Sequence, residues 1–398
     1  MSHFVPADID ALRDAVAGAL ADEEAVEIVA GGSKRGLGRP LQTPHVLDLS
    51  RLCGIRDYAP SELVLTAGAA TPLADIERAL AEAGQMLAFE PPDWRGLFKD
   101  GGEPTLGGAL ACNLGGPRRI KAGAARDHFL GFRAVSGRGE AFKAGGKVVK
   151  NVTGYDLCKL LAGSHGTLAA LEEVTVKVLP RPEAVATVLI GAPDAAAAVR
   201  LMTAALGSPH DVSGAAYLPA GADIAGIAAG TVALRVEGHA PSVAFRRDAL
   251  AREHGAAGTL GDAESAVLWR AVGAAAPLAG LSGCALWRLS VAPTRGAELA
   301  DKLAALDAVW FLDWGGGLVW AAVPEAGDGG AAAIRAAIRG ADGQSTGHAT
   351  LICGSPALRR AVAVFEPEPA PLAALSRRVK DAFDPRHILN PGRMLAGG

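Results

Sequence analysis

Hydrophobic and polar positions alternate in short, irregular blocks along the first 180 residues. Apolar residues recur with helical spacing over 8–20, behind Asp8 as a capping residue, and a second helix is predicted from Thr71 to Ala83. Apolar and β-branched runs predict the strands of this region, at 25–29, 46–49, 63–67, 129–135, 147–149 and 168–179. The blocks lack the regular strand–helix rhythm of a doubly wound sheet, so we expect a domain of the α+β class.

The pattern changes after residues 180–182, where two prolines around one residue interrupt both helices and strands. Beyond this point strands and helices alternate, with strands predicted at 187–190, 231–236, 284–291, 309–313 and 317–323, and helices at 195–206, 243–254 and 298–306. An antiparallel sheet with helices on one face fits this order. A last helix is predicted over 371–383. We therefore divide the chain into residues 1–180, residues 181–365 and a C-terminal segment 366–398.

Composition excludes several classes of function. The net charge is −3 and there is no basic tract, which argues against nucleic acid as the main partner. No signal peptide or apolar stretch long enough to span a membrane is evident, so we expect a cytoplasmic protein. The five cysteines are scattered, without a CxxC spacing, which excludes a zinc ribbon or an iron–sulfur cluster held by this chain alone.

A glycine-rich loop follows the first predicted strand. Its four glycines fall within eight residues, at Gly31, Gly32, Gly36 and Gly38. Glycine allows backbone N–H groups to approach an anion closely, and Lys34 and Arg35 add positive charge. The loop does not match a Walker loop, because Leu37 replaces the lysine, nor the dinucleotide fingerprint, because Leu41 replaces a glycine. It is either a phosphate-binding loop or a tight exposed turn.

Two further loops, 105–108 and 163–167, are also rich in glycine and lie at the ends of predicted elements. Three such loops suit one long dinucleotide better than three unrelated turns. With TLGG at 105–108, KNVTGYDL at 150–157, GSHGTL at 163–168 and FDPRHILNPGRM at 383–394, the chain resembles the vanillyl-alcohol oxidase / PCMH superfamily of flavoproteins. It is similar, within that superfamily, to the FAD-binding E subunits of bacterial glycolate oxidase, through stretches such as GGPRR at 115–119, DWGG at 313–316 and GHAT at 347–350.

The resemblance implies a PCMH-type FAD-binding domain of two α+β subdomains, completed by the C-terminal segment, with a cap domain between. It implies non-covalent FAD, because neither the glycine loop nor GGPRR contains histidine. It further implies a complex with a catalytic flavin subunit of the D type and an iron–sulfur subunit of the F type. That complex would oxidise glycolate to glyoxylate, and it could lie at the inner membrane through its partners.

The same resemblance implies the residues that contact FAD. They are Gly31, Gly32, Ser33, Lys34, Gly38, Thr105, Gly107, Gly108, Gly123, Asp127, Gly163, Ser164, Thr167 and Asn390.

One motif departs from the family. Related enzymes that oxidise 2-hydroxy acids carry GHxGDGN in the cap, with a histidine that helps to hold a metal, whereas here Gly347-His348 is followed by Ala349-Thr350-Leu351. We therefore expect no metal site. Three functions stay open: an FAD-dependent oxidoreductase subunit for 2-hydroxy acids, a mainly structural FAD-binding subunit that braces a separate catalytic subunit, and a stand-alone FAD-dependent dehydrogenase.

Catalytic candidates come from the cap region. Arg288 lies in an apolar strand and could hold a substrate carboxylate, and His348 could accept the hydroxyl proton; the alternative for each is a structural role. Arg235 is expected to form a salt bridge or to lie on a wet face of the sheet. The tryptophans at 310, 314 and 320 form either the core of the cap or a subunit interface.

Overall fold

The computed structural model describes residues 2–98, 101–147, 154–224, 226–340 and 345–395. The strands of the first 180 residues are β1 (Ser2–Phe4), β2 (Val26–Val29), β3 (His45–Asp48), β4 (Ile55–Ala59), β5 (Val64–Gly68), β6 (Gln85–Met86), β7 (Phe129–Ser136), β8 (Ala141–Gly145), β9 (Ala169–Lys177) and β10 (Leu179–Pro180). The helices are α1 (Ile9–Ala21), α2 (Leu73–Glu82), α3 (Arg95–Phe98), α4 (Leu106–Ala111), α5 (Arg119–Ala122), α6 (Ala125–His128) and α7 (Leu157–Leu161).

Two sheets organise this part, which we call the FAD domain after the cofactor that the resemblance implies. A parallel three-stranded sheet has the order β1-β3-β2, and an antiparallel five-stranded sheet has the order β4-β5-β9-β7-β8. Asp8 caps α1 as predicted, accepting a hydrogen bond from the N–H of Ala11. The expected strand at 147–149 is wrong at Lys147, and its other two residues lie outside the described ranges. The chain reverses direction in a tight turn directly after β7, and β8 pairs with β7 with Val135 opposite Ala141. The strand that follows this turn is therefore β8 and not the one expected at 147–149.

The second part, which we call the cap, is built on one eight-stranded antiparallel sheet with the order β14-β11-β13-β12-β16-β17-β15-β18. Its strands are β11 (Ala184–Gly191), β12 (Gly214–Leu218), β13 (Thr231–Gly238), β14 (Gly258–Leu260), β15 (Cys284–Ser290), β16 (Val309–Asp313), β17 (Leu318–Pro324) and β18 (His348–Cys353). Its helices are α8 (Ala195–Leu206), α9 (Ala240–His254), α10 (Asp262–Gly273), α11 (Gly296–Ala304), α12 (Ala331–Ile338) and α13 (Pro356–Ala361).

Each strand of the cap sheet sends alternate residues to two different cores. On β15 and β17, Trp287, Leu289 and Val319 belong to the core beneath the cap helices. Leu286 and Trp320 belong to the core shared with the FAD domain. The prediction of helices on one face holds for α8, α9, α11 and α12, whereas α10 packs on the other face, with Leu268, Trp269 and Val272 in the core shared with the FAD domain. That other face is covered by the FAD domain rather than by solvent.

The C-terminal segment returns to the parallel sheet after helix α14 (Ala370–Phe383). Buried Asp384 accepts hydrogen bonds from the N–H groups of Ile388 (3.0 Å) and Leu389 (2.8 Å), which fix the turn after the helix. Leu389 then pairs in parallel with Val26 at the start of β2. The last described residues thus become part of the FAD domain. Within the described ranges, no helix has the length and apolar character needed to cross a membrane.

Candidate functional site

A cleft of about 810 Å³, continuous with solvent, opens beside the end of β2. Four segments far apart in sequence form its walls: residues 28–37, 103–112, 165–171 and 390–393.

The glycine loop forms one wall because its backbone must pass very close to a second segment. Gly31 accepts a hydrogen bond from the N–H of Glu103 (2.8 Å). A Cβ atom on Gly31 would lie 1.9 Å from the carbonyl oxygen of Glu103, so no other residue fits there. Gly32 adopts φ +77°, in the left-handed region that favours glycine. The loop is therefore held tightly in place rather than hanging free as an exposed turn.

Lys34 places a positive charge in the cleft that the described protein does not balance. Its Nζ donates to the hydroxyl of Ser33 (3.2 Å), and no described carboxylate lies within 4.0 Å of it. Burial lowers the pKa of this lysine. Arg35 and Arg393, by contrast, both bind the carboxylate of Glu27, each with an N–O distance of 3.1 Å. A bound phosphate would supply the missing counter-charge, so the cleft fits the pyrophosphate of a dinucleotide.

The opposite wall begins at α4. Thr105 caps this helix, accepting a hydrogen bond from the N–H of Gly108 (3.2 Å). Gly107 packs so closely on Ala69 that a Cβ atom would lie 2.6 Å from its carbonyl oxygen. A Cβ atom on Gly108 would lie 3.6 Å from the Nζ of Lys34. The small residues of TLGG thus keep the space in front of the lysine open.

Asn390 connects the C-terminal segment to two other walls. Its Oδ1 accepts a hydrogen bond from the N–H of Ile28 (2.8 Å), and its Nδ2 donates to the carbonyl of His165 (2.9 Å). His165 has φ +52°, and a Cβ atom on Gly166 would lie 2.7 Å from the Nδ2 of Asn390. Burial, with Arg393 and Lys34 nearby, lowers the pKa of His165 to about 4, so its imidazole is neutral at physiological pH.

The structure brings eight of the predicted cofactor residues together in this cleft: Gly31, Gly32, Ser33, Lys34, Thr105, Gly107, Gly108 and Asn390. Three others, Gly163, Ser164 and Thr167, line a separate, largely apolar groove against α14. Gly38 packs against Arg393. Gly123 and Asp127 lie at the turn between α5 and α6, where the carboxylate of Asp127 accepts the N–H of Ala124 (2.9 Å). Cys112 and Arg393 also line the cleft, although neither is among the predicted cofactor residues; Arg393 lies in the FDPRHILNPGRM stretch.

The predicted catalytic residue Arg288 lies on the face of the cap sheet that packs on the FAD domain. Its guanidinium carbon is 4.8 Å from the ring centre of Trp314. Burial and the neighbouring Arg119 lower the pKa of Arg288 to about 10. His348 pairs with Ser290 at the start of β18, so it shares this face, but it is exposed. The structure thus places the two candidates on one surface without bringing them into contact.

The residues that replace the family's metal motif are structural. Ala349 and Leu351 are fully buried in the core under the cap helices. In the part of the chain that the structure describes, no three histidine, cysteine or acidic residues are grouped to hold a metal ion.

Arg235 joins the cap to the FAD domain. It is 2% exposed and donates two hydrogen bonds to the carboxylate of Glu90, at 2.8 and 3.0 Å. Arg118 binds Glu237 through its Nε (3.0 Å) and donates its backbone N–H to Glu90 (2.7 Å). The predicted salt bridge is confirmed, whereas the wet sheet face is wrong, because the FAD domain covers it.

Two of the three tryptophans also lie at this boundary. Trp314 donates from Nε1 to the carbonyl of Gly116 (3.1 Å), and Trp320 meets Trp94 edge to face with ring centres 5.5 Å apart. They therefore join the two parts of one chain rather than forming a surface for another subunit. Trp310 is half-buried beside Tyr217.

Asp313 provides a test of the electrostatics at this boundary. Burial raises its pKa from 3.8 to about 7. The unfolded chain loses this proton near pH 4 and the folded chain near pH 7, so the free energy of unfolding falls as pH rises between these values. We expect Asp313→Asn to be more stable than the parent at pH 8, by up to about 4 kcal/mol, with a smaller difference at pH 5. Urea unfolding at both pH values measures this.

Asp301, exposed on α11, offers the matched control, and Asp301→Asn should leave the pH dependence unchanged. A stability difference between Asp313→Asn and the parent that is equal at pH 5 and pH 8 would contradict the raised pKa.

Comparison with known proteins places the chain among flavoproteins. It is 35% identical to glycolate oxidase subunit GlcE of Escherichia coli (strain K12), over 97% of this chain and 97% of that protein. The chain belongs to the GlcE family. Residues 3–145 match the family described as "FAD binding domain", and residues 365–394 match "FAD linked oxidases, C-terminal domain". The prediction of an FAD-linked oxidoreductase is confirmed.

More distant similarity agrees with this. Glycolate oxidase subunit GlcD of Bacillus subtilis (strain 168) is 34% identical over 43% of this chain and 35% of that protein. The structure of p-cresol methylhydroxylase with substrate bound has a TM-score of 0.71 at 14% identity, covering 100% of this chain and 89% of the other. This likeness confirms the PCMH-type α+β fold for this member of the GlcE family.

Proposed function

We propose that the chain is the FAD-binding subunit of a glycolate oxidase complex that converts glycolate, and related 2-hydroxy acids, into 2-oxo acids such as glyoxylate. The observation that carries this proposal is the unbalanced charge of Lys34 in a glycine-lined cleft, in a chain that matches GlcE from end to end. The D-type flavin subunit and the F-type iron–sulfur subunit would be its partners, in the cytoplasm or at the inner membrane. The similarity to both GlcE and GlcD supports a complex of several subunits.

FAD would lie with its pyrophosphate against residues 31–34, where the loop backbone and the Lys34 ammonium face the cleft. Residues 105–108 and Asn390 would contact the rest of the cofactor. The loop has no histidine, which supports non-covalent binding. Gly38, Gly123, Asp127, Gly163, Ser164 and Thr167 lie outside this cleft, so their contact with FAD stays a prediction.

A bound flavin supplies the acceptor for the hydride that leaves the α-carbon of a 2-hydroxy acid. The residues of this chain would bind and orient the acid. Arg288 would hold the substrate carboxylate, since a guanidinium group matches a carboxylate in geometry and charge. His348, on the same sheet face, would accept the hydroxyl proton.

A second candidate function is that of a mainly structural FAD-binding subunit that braces the catalytic flavin subunit. The burial of Ala349 and Leu351 favours it, because these positions serve the cap core instead of a metal site.

The visible absorption spectrum of the purified chain tests these proposals, before and after anaerobic glycolate, alone and with co-expressed D-type and F-type subunits. We expect flavin bands in the isolated chain and bleaching when the partners are present. Acid denaturation should release the flavin if it is not covalently bound. Bands that are absent from a folded chain would contradict FAD binding. Turnover by a complex that carries Arg288→Gln and His348→Ala together would support the structural role.

A further inference from the structure

We infer that Arg119 and Arg288, stacked on Trp314, form a binding site for the carboxylate of a small organic acid at the boundary of the FAD domain and the cap. The site itself is argued from the structure, and only the identity of its natural ligand as a 2-hydroxy acid rests on the proposed function. The new elements are Arg119 of the FAD domain and the ring that holds both arginines.

The two arginines come from different parts of the chain and meet on a single ring. The guanidinium carbon of Arg119 lies 4.3 Å from the ring centre of Trp314, and that of Arg288 lies 4.8 Å from it. Arg119 begins α5 in the FAD domain, whereas Arg288 lies in the middle of β15 in the cap. Stacking on an aromatic face holds a guanidinium group while leaving the N–H donors on its edge free to bind a ligand.

Trp314 is a rigid support. It is 4% exposed, and both of its N–H groups are bound, the indole to the carbonyl of Gly116 (3.1 Å) and the backbone to Asp313 (2.7 Å). It adopts φ +53°, and Gly315 and Gly316 after it have φ +67° and +100°. Such a left-handed run persists only where the surroundings fix it. The ring therefore keeps its position, and with it the placement of the two arginines.

Neither of the two charges has a carboxylate in ion-pair contact. Among the described residues, neither the Arg119 nor the Arg288 guanidinium donates a hydrogen bond or has a carboxylate within 4.0 Å, and Asp127 and Asp313 act on them only from farther away. Two other arginines at the same boundary are paired, since Arg118 and Arg235 each bind a glutamate through two nitrogens. The protein thus pairs the arginines that join its two parts and leaves this pair open.

A bound anion would neutralise the positive charges of Arg119 and Arg288. Two nearby cations repel each other, and the half-buried Arg288 also loses hydration. Asp313 does not neutralise them, because it lies beyond ion-pair distance and binds the N–H of Trp314. A carboxylate can accept two parallel hydrogen bonds from one planar guanidinium and a further hydrogen bond from a second, and it is the group that all 2-hydroxy acids share.

Oxalate is the probe for this site, since it is a small carboxylate that the complex cannot oxidise as a 2-hydroxy acid. We would titrate oxalate into the FAD-loaded chain and follow tryptophan fluorescence and the unfolding temperature. We expect saturable binding that weakens at least tenfold in Arg119→Gln and in Arg288→Gln. Arg200→Gln, an exposed arginine of the cap, should bind oxalate like the parent. Trp314→Phe should remove the fluorescence response.

Equal oxalate affinity in the parent and in Arg119→Gln would overturn the inference. Arg119 is exposed, so this variant should fold even if Arg288→Gln does not. Inorganic phosphate is the second arm, and binding as tight as that of oxalate would overturn the assignment to a carboxylate. The result is separable from the proposed function: normal flavin content and glycolate turnover with unchanged oxalate binding in both variants would reject the site alone.

Discussion

The variant Lys34→Ala should copurify with little or no FAD. Among the described residues Lys34 has no carboxylate within 4.0 Å and donates only to the hydroxyl of Ser33, whereas the neighbouring Arg35 binds the carboxylate of Glu27. A hydrogen bond between charged groups contributes about 1.5–3 kcal/mol, so its loss should weaken FAD binding by roughly 10- to 150-fold. The measurement is the ratio of flavin to protein absorbance after purification, followed by titration of the apo-protein with FAD.

Lys143→Ala is the matched control, because Lys143 is an exposed lysine on β8 of the same domain. It should retain the flavin content of the parent. Unchanged FAD affinity in Lys34→Ala, with the fold intact by circular dichroism, would show that the cleft does not bind the pyrophosphate as proposed.

Glu90→Gln is the second change with a large expected effect. Glu90 accepts two hydrogen bonds from the buried Arg235 and one from the backbone of Arg118. The amide would leave the Arg235 charge without its main partner in the interior, which costs about 3–5 kcal/mol in buried pairs. We expect a loss of about 3 kcal/mol in the free energy of unfolding, measured by urea denaturation, since Glu90 itself keeps some contact with solvent.

Glu298→Gln provides the comparison, since Glu298 forms an exposed pair with Lys302 at 2.6 Å. Exposed pairs contribute at most about 1 kcal/mol, so this variant should be nearly as stable as the parent. If both variants lost the same small amount, the Glu90–Arg235 pair would not hold the cap to the FAD domain.

Local patterns predicted those elements whose own residues determine them. The helix expected at 195–206 has these bounds in the structure, because Asp194 caps it and its apolar residues repeat with helical spacing. The strand at 309–313 is also placed correctly. Strand β12 was not predicted, since its sequence GAAYL is small and apolar on both sides and shows no period. Its conformation depends on pairing with β13 and β16.

In the site, too, features set by local sequence could be predicted, whereas contacts between distant segments could not. The glycine loop and TLGG were found because close backbone packing requires glycine at specific positions. Arg235 could be read as a paired residue, but its partner Glu90 lies 145 positions away and carries no signal of pairing. The meeting of Arg119 with Arg288 on one tryptophan likewise depends on how the cap sheet lies on the FAD domain.

The position of Asn390 has a consequence for how the protein is made. The cleft contains residues 28–37 near the start of the chain and Asn390 near its end. A ribosome adds about 5–20 residues per second, so roughly 10–40 s separate synthesis of the FAD domain's first 180 residues from that of Asn390. During this interval the cleft lacks one wall, and the hydrogen bonds of Asn390 to Ile28 and His165 cannot form. If FAD binds in this cleft as proposed, we expect it to bind only after Asn390 has been made, and Asn390→Ala should therefore weaken FAD retention.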